Sequence, residues 1–157
     1  MKTDYETSPL SRPIKQIAED GKFMATFYGT NSGSEVRKFS VVSNGDGTNV
    51  VSTSGTYDAS SLYKTVVLNE NWNNNADATI GRTEIYKDKL GLVVATRKFV
   101  KNTSNSWVNV DTYNVYDDFG KLVMVIPPDA TQSGNPNDPI NLKLVFQYNY
   151  DTRNRLI

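Results

Sequence analysis

The sequence predicts an all-β fold of successive antiparallel hairpins, sandwich-like or shell-like, with at most one short helix near the N-terminus. One observation is a recurring unit: Lys87-Asp88-Lys89-Leu90-Gly91-Leu92-Val93, Tyr116-Asp117-Asp118-Phe119-Gly120-Lys121-Leu122 and Tyr150-Asp151-Thr152-Arg153-Asn154-Arg155-Leu156. Each reads Asp, two variable residues, Gly or Asn, one residue, then an aliphatic. An Asp carboxylate can accept from a backbone N–H two residues on, while Gly or Asn supplies the left-handed conformation that closes a three-residue hairpin loop. Asp88, Gly91, Asp117, Gly120, Asp151 and Asn154 are therefore read as turn residues. The other observation is texture, since from Phe23 onward β-branched and aromatic runs alternate with clusters of Gly, Asn, Ser and Pro.

Taken in order, residues 1–12 read as an irregular lead-in. Ile14, Ile17 and Ala18 stand at i, i+3, i+4 spacing before Gly21, which predicts one or two helical turns over Pro13 to Asp20. Phe23 to Tyr28 and Val36 to Val42 form the arms of a hairpin with a longer loop. Val50 to Tyr57 and Leu62 to Leu68 are further strands, and Asp58 caps a short turn over Ala59 to Ser61. The Asn-rich stretch from Asn69 to Ala78 is a solvent-facing loop.

In the second half the hairpins become regular. Counting outward from the three-residue loop pairs Tyr116 with Leu122, Val115 with Val123, and Tyr150 with Leu156. The motif Tyr and Leu then meet across strands, a contact worth ~0.2–1 kcal/mol. Tyr113, Val115, Val123 and Val125 share one face and Tyr116, Leu122, Met124 and Ile126 the other, which places this hairpin between layers. Pro127-Pro128 ends the strand, and Ile140 to Tyr150 resumes the sheet after a loop rich in Pro, Gly and Asn. The chain is one all-β domain over 1–157, with an N-terminal β part over 1–80 and the hairpin repeats over 81–157.

Composition closes several functional classes. With 157 residues the chain can bury about two-thirds of its unfolded surface without staples. Cysteine and histidine are both absent, which removes disulfides, thiolate nucleophiles, Ser-His-Asp arrangements and the commonest zinc ligands. Lys+Arg and Asp+Glu each total 17, so no excess of positive charge favours nucleic acid. The longest aliphatic run, Leu122 to Ile126, falls far short of the ~20 residues that span a bilayer. Met1 to Asp4 leads into polar residues, so no signal peptide is read here.

Individual constellations carry little chemistry. A glycosidase pair needs two carboxyl groups roughly 5–9 Å apart across a cleft, whereas Asp88, Asp117 and Asp151 each sit at their own turn. Asn44 to Asn49 resembles a calcium loop faintly but lacks the terminal bidentate Glu, so it reads as a hairpin loop. Asn102-Thr103-Ser104 fits the glycosylation sequon and implies an exposed loop. Trp72 and Trp107 stand among asparagines, and a flat ring flanked by amides is chemistry that sugar binding uses. They are the candidate ligand contacts. No catalytic residue, metal ligand or cofactor is read from the sequence.

Tyr-Asp-x-x-x-Arg-Leu, matched by Tyr150 to Leu156, is the signature of YD repeats. The phrases before it run YETSPLSRPIKQ (5–16), YGTNSGSEVRKFSV (28–41), LYKTVVLNEN (62–71), EIYKDKLGLVVATRKFV (84–100) and DTYNVYDDFGKLVMVIPPDA (111–130). In that order the chain resembles the conserved region preceding the repeat core of Rhs/YD-repeat proteins of Bacteroidetes. Leu92 departs from the basic residue usual after the first hairpin glycine. The resemblance implies a non-catalytic piece of a larger secreted or cell-surface protein, whose partners are the further YD repeats of the parent chain and whose β-shell can enclose an effector. On that reading the export signal and later repeats lie on sequence outside these residues, and the 142–150 strand is an edge open to self-association. The alternative is a carbohydrate- or surface-ligand-binding β-module.

Overall fold

The computed structural model describes residues 1–43, 49–72, 79–131, 141–151, 153 and 155–157. Eleven strands are defined among them: β1 (Lys2–Tyr5), β2 (Pro13–Ile17), β3 (Phe23–Thr30), β4 (Arg37–Ser43), β5 (Asn49–Thr56), β6 (Tyr63–Leu68), β7 (Arg82–Lys87), β8 (Val93–Lys101), β9 (Trp107–Tyr116), β10 (Leu122–Ile126) and β11 (Phe146–Gln147). Short 3-10 turns at Pro128–Ala130 and Leu142–Leu144 are the sole helical elements of the described residues. The all-β, antiparallel fold read from the sequence is the fold observed.

Nine strands form one antiparallel sheet in the order β1-β2-β3-β6-β7-β8-β9-β10-β11, and β4 and β5 pair with each other as a separate hairpin. That hairpin covers part of one sheet face. Phe39 of β4 meets Tyr113 of β9 edge to face at 5.2 Å, and Val41, Val51 and Tyr57 pack on the same core. Beneath them Tyr86, Met124, Ile126, Val123, Leu62 and Val36 are almost fully buried.

One residue sets where the hairpin springs from. Asn31, only 3% exposed, follows β3 and accepts from Leu62 N through Oδ1 at 2.8 Å, while its Nδ2 donates to the Asp58 and Ser32 carbonyls. Its backbone N–H also donates to the Leu62 carbonyl, and its own carbonyl accepts from Ser60 N. The point where the chain leaves the sheet is thus tied to the point where it returns. Such full satisfaction is what a buried amide requires. The turn at 58–61 closes on the backbone carbonyl of Asp58, which accepts from Ser61 N and Oγ.

This excursion corrects one expectation, because Phe23–Thr30 and Arg37–Ser43 are not two arms of one hairpin. β3 pairs with β6 from Ala25↔Leu68 to Thr30↔Tyr63, and β4 pairs with β5. A second correction concerns Pro13 to Asp20: Pro13–Ile17 is a strand between β1 and β3, not a helical turn. Ladder hydrogen bonds on both sides outweigh a weak three-residue periodicity. A third concerns the stretch expected to be strand from Ile140 to Tyr150: of its described residues, 141–150, only Phe146–Gln147 is strand. Asn141 Oδ1 accepts from Lys143 N and nucleates a 3-10 turn over Leu142–Leu144 instead.

A fourth correction concerns register. Tyr116 pairs with Leu122, but Val115 pairs with Met124, leaving Val123 as the extra residue of a β-bulge. The preceding hairpin does the same: Lys87 pairs with Val93 and Tyr86 with Ala95, so Val94 is extra. Val94 and Val123 occupy equivalent places six residues after Asp88 and Asp117. Each bulge turns two consecutive side chains inward, Val94 with Ala95 and Val123 with Met124, all buried. Met124 and Ile126 therefore share the core face with Val115 and Tyr113, while Asn114 and Val125 lie half-buried on the other.

Candidate functional site

The motif aspartates make one repeated hydrogen-bond pattern. Asp88 Oδ1 accepts from Leu90 N and Leu92 N, Asp117 Oδ1 from Phe119 N and Lys121 N, and Asp151 Oδ1 from Arg153 N and Arg155 N. In each turn the Asp N–H donates to the carbonyl four residues on, at 2.9 Å. Gly91 and Gly120 take φ of 85° and 78°, the left-handed region where a Cβ is costly. Asn154, the corresponding residue of the last turn, lies outside the described residues, as do residues 44–48 of the loop weighed as a calcium site.

A fourth turn of this kind was not read from the sequence. Asn102 Oδ1 accepts from Ser104 N and Ser106 N, and Asn105 adopts φ of 57°. Asn replaces both Asp and Gly there, which hides the pattern. The signal that could have found it is the shared offset, since an amide oxygen and an αL-tolerant residue three positions on satisfy the same geometry. By strand direction the Asp88, Asp117 and Asp151 turns lie at one end of the sheet and the Asn102 turn at the other.

The two tryptophans are separated. Trp107 begins β9 opposite Lys101, whose Nζ lies 5.5 Å from the ring centroid. Trp72 is half-buried, edge-on to Phe23 at 5.9 Å, and lines a cavity of about 330 Å³ with Phe27, Val66, Leu68 and Arg82.

The densest gathering of chemistry is elsewhere, in an ion network beneath the loop joining β3 to β4. Glu84, Arg97 and Asp111 stand directly opposite one another on β7, β8 and β9. Arg97 donates to both Asp111 carboxylate oxygens at 2.8 and 2.7 Å and to the Glu35 carbonyl at 2.9 Å. Lys64 pairs with Glu35 and Glu84, and Arg82 with Glu84. Tyr86 Oη lies 2.8 Å from Glu35 Oε1 and 2.6 Å from Glu84 Oε2, sharing its single proton between them. Three carboxylates thus face three cations, and Glu84 side-chain exposure is only 3%.

Electrostatics pull these groups apart. Burial alone would raise the Glu35 and Glu84 carboxyls, but Lys64 beside Glu35, and Tyr86, Lys64 and Arg82 beside Glu84, hold both below the usual range. Burial and the two carboxylates push the Tyr86 phenol up. Acids held ionised beside a phenol held neutral suit a fixed clamp between layers. Sequence reading missed the network because the charges are scattered from 35 to 111. A charge flanked by β-branched or aromatic neighbours in a strand, as in Glu84-Ile85-Tyr86, is the available signal.

Among the described residues no group of three His, Cys, Asp or Glu side chains could hold a metal ion, and no helix is long and apolar enough to cross a membrane. No protein-family model matches the chain, and no curated protein or solved structure is significantly similar to it.

Proposed function

We propose that the chain is a non-catalytic structural module of a larger secreted or cell-surface protein of Rhs/YD type. In it, hairpins of one design extend a β-sheet that starts or caps a shell. The observation carrying this reading is the hydrogen-bond pattern shared by Asp88, Asp117 and Asp151, aligned at one end of the sheet, with bulges at matching places after the first two. Its partner is the remainder of the parent polypeptide. The arm 155–157 fits that role, since Tyr150 bridges Leu156 and Ile157 N donates to the Asn149 carbonyl, beginning an antiparallel strand beside β11. Appending one further Tyr-Asp-x-x-x-Arg-Leu hairpin after Ile157 tests this. A sheet that grows gives a single cooperative unfolding transition at a higher midpoint, whereas an appended hairpin that stays unfolded or melts separately refutes the reading.

The alternative, carbohydrate binding, has Trp72 in its favour. Against it, the cavity beside Trp72 is lined by Phe27, Val66, Leu68 and Arg82, with no amide or hydroxyl among these side chains.

A further inference from the structure

The part of the sheet that the β4–β5 hairpin leaves uncovered carries a groove with a cation at each end. Strand register places Lys15, Ala25, Leu68 and Arg82 in one row across β2, β3, β6 and β7. Three strand spacings make that row ~14 Å long. Ala25 and Leu68 form an apolar floor, 6% and 5% exposed. Phe23 with Trp72 stands on one side and Phe27 with Val66 on the other. Two cavities over this floor, about 440 and 330 Å³, share Phe27 and Leu68.

The polar groups are unevenly engaged. Glu6 at the mouth is neutralised by Arg12, which binds both its oxygens at 2.8 and 2.9 Å. Lys15 Nζ lies 4.5 Å from the Phe23 ring centroid, with no carboxylate in ion-pair range among the described residues. At the far end Arg82 pairs with Glu84 through Nη2, while its buried Nε makes no hydrogen bond. An apolar floor with an unneutralised ammonium at its rim complements a molecule with an apolar body and one anionic end.

We propose that this groove binds an amphipathic carboxylate, its hydrocarbon body lying over Ala25 and Leu68 between Phe27 and Trp72 and its carboxylate on Lys15. A sugar is disfavoured because its hydroxyls would be desolvated against that floor.

The chain has two tryptophans, so a Trp107→Phe background leaves Trp72 as the sole indole reporter. Decanoate, below its micellar range, is titrated against this protein and compared with decanol. Saturable change in Trp72 emission with decanoate is expected, with decanol weaker by about tenfold or more, as loss of a charge-assisted bond implies. Lys15→Met should lower decanoate affinity to the decanol level while leaving decanol binding unchanged, and Phe27→Ala should weaken both. Circular dichroism verifies folding, and Lys15→Gln replaces Lys15→Met if that variant unfolds. Absence of saturation, equal affinity for decanoate and decanol, or undiminished decanoate binding by the Lys15 variant overturns the proposal.

Discussion

Beneath the β4–β5 hairpin the sheet buries Tyr86 and Tyr113 to 0% and 4% exposure, while on the same face, over β3, Phe27 is 57% exposed. Both regions are antiparallel, aromatic-rich and laddered strand to strand. They differ in what lies above them. The second layer is a single excursion of the chain, sprung from Asn31 and returned at Leu62, and the ion network joins its base to β6, β7, β8 and β9. Strand pattern therefore makes the sheet, but one loop decides which part of it becomes core.

Removing an ion from beneath that loop should produce the largest effect. Arg97→Leu leaves Asp111 without its cation, with the Tyr113 hydroxyl still donating to it, and frees the Glu35 carbonyl; loss of one partner from a buried pair costs about 3–5 kcal/mol. Urea titration would show this as a lowered midpoint. A cost below that of an exposed pair such as Arg155–Asp151 would make the network incidental.

Next comes the pin itself. Asn31→Ala leaves the buried Leu62 N–H without its acceptor, at about 1–3 kcal/mol, while the Asp58 carbonyl keeps its bonds from Ser61. The excursion should loosen while the repeats stay folded, which amide exchange resolves as faster exchange confined to 31–62.

The turns are expected to matter less. Gly120→Val places a β-branched residue at φ of 78°, with Leu92 3.6 Å from the added Cβ, and should cost more than ~1 kcal/mol. Asp118→Ala, at an exposed loop position, should fall within ~0.5 kcal/mol. Equal denaturation midpoints would sink the assignment of Gly120 to a strained turn.

Acid should separate the two regions more gently. Glu35 and Glu84 have folded pKa values below their unfolded ones, so their contribution is fully present above the unfolded carboxyl range, ~4.3, and is lost as pH falls through the folded values. Stability measured at pH 7, 5, 4 and 3 should stay level to about pH 5 and then decline. Glu35→Gln should flatten that decline, and an unchanged slope would remove Glu35 from the clamp.

What the sequence disclosed follows how local each interaction is. The Asp117–Lys121 turn is settled by an Asp and a Gly three residues apart, and it was legible. The β3–β6 pairing was not, because it spans more than thirty residues and is fixed by Asn31, which in sequence looks like any loop asparagine. The bulges at Val94 and Val123 were hidden for a different reason: an extra inward residue leaves the hydrophobic count unchanged and alters only its phase. Glu84, Arg97 and Asp111 drew no reading from the sequence, since nothing local says that three strands align them under a loop.

Native-state amide exchange at pH 7 tests most directly whether the hairpin layer, and not the strand ladder, makes the stable core. Tyr86, Arg97 and Tyr113 amides should exchange only through global unfolding, whereas Lys15 and Gln16 of β2, equally a central strand but uncovered, should exchange through local opening at least ~100-fold faster. Equal protection of the two sets would contradict the account.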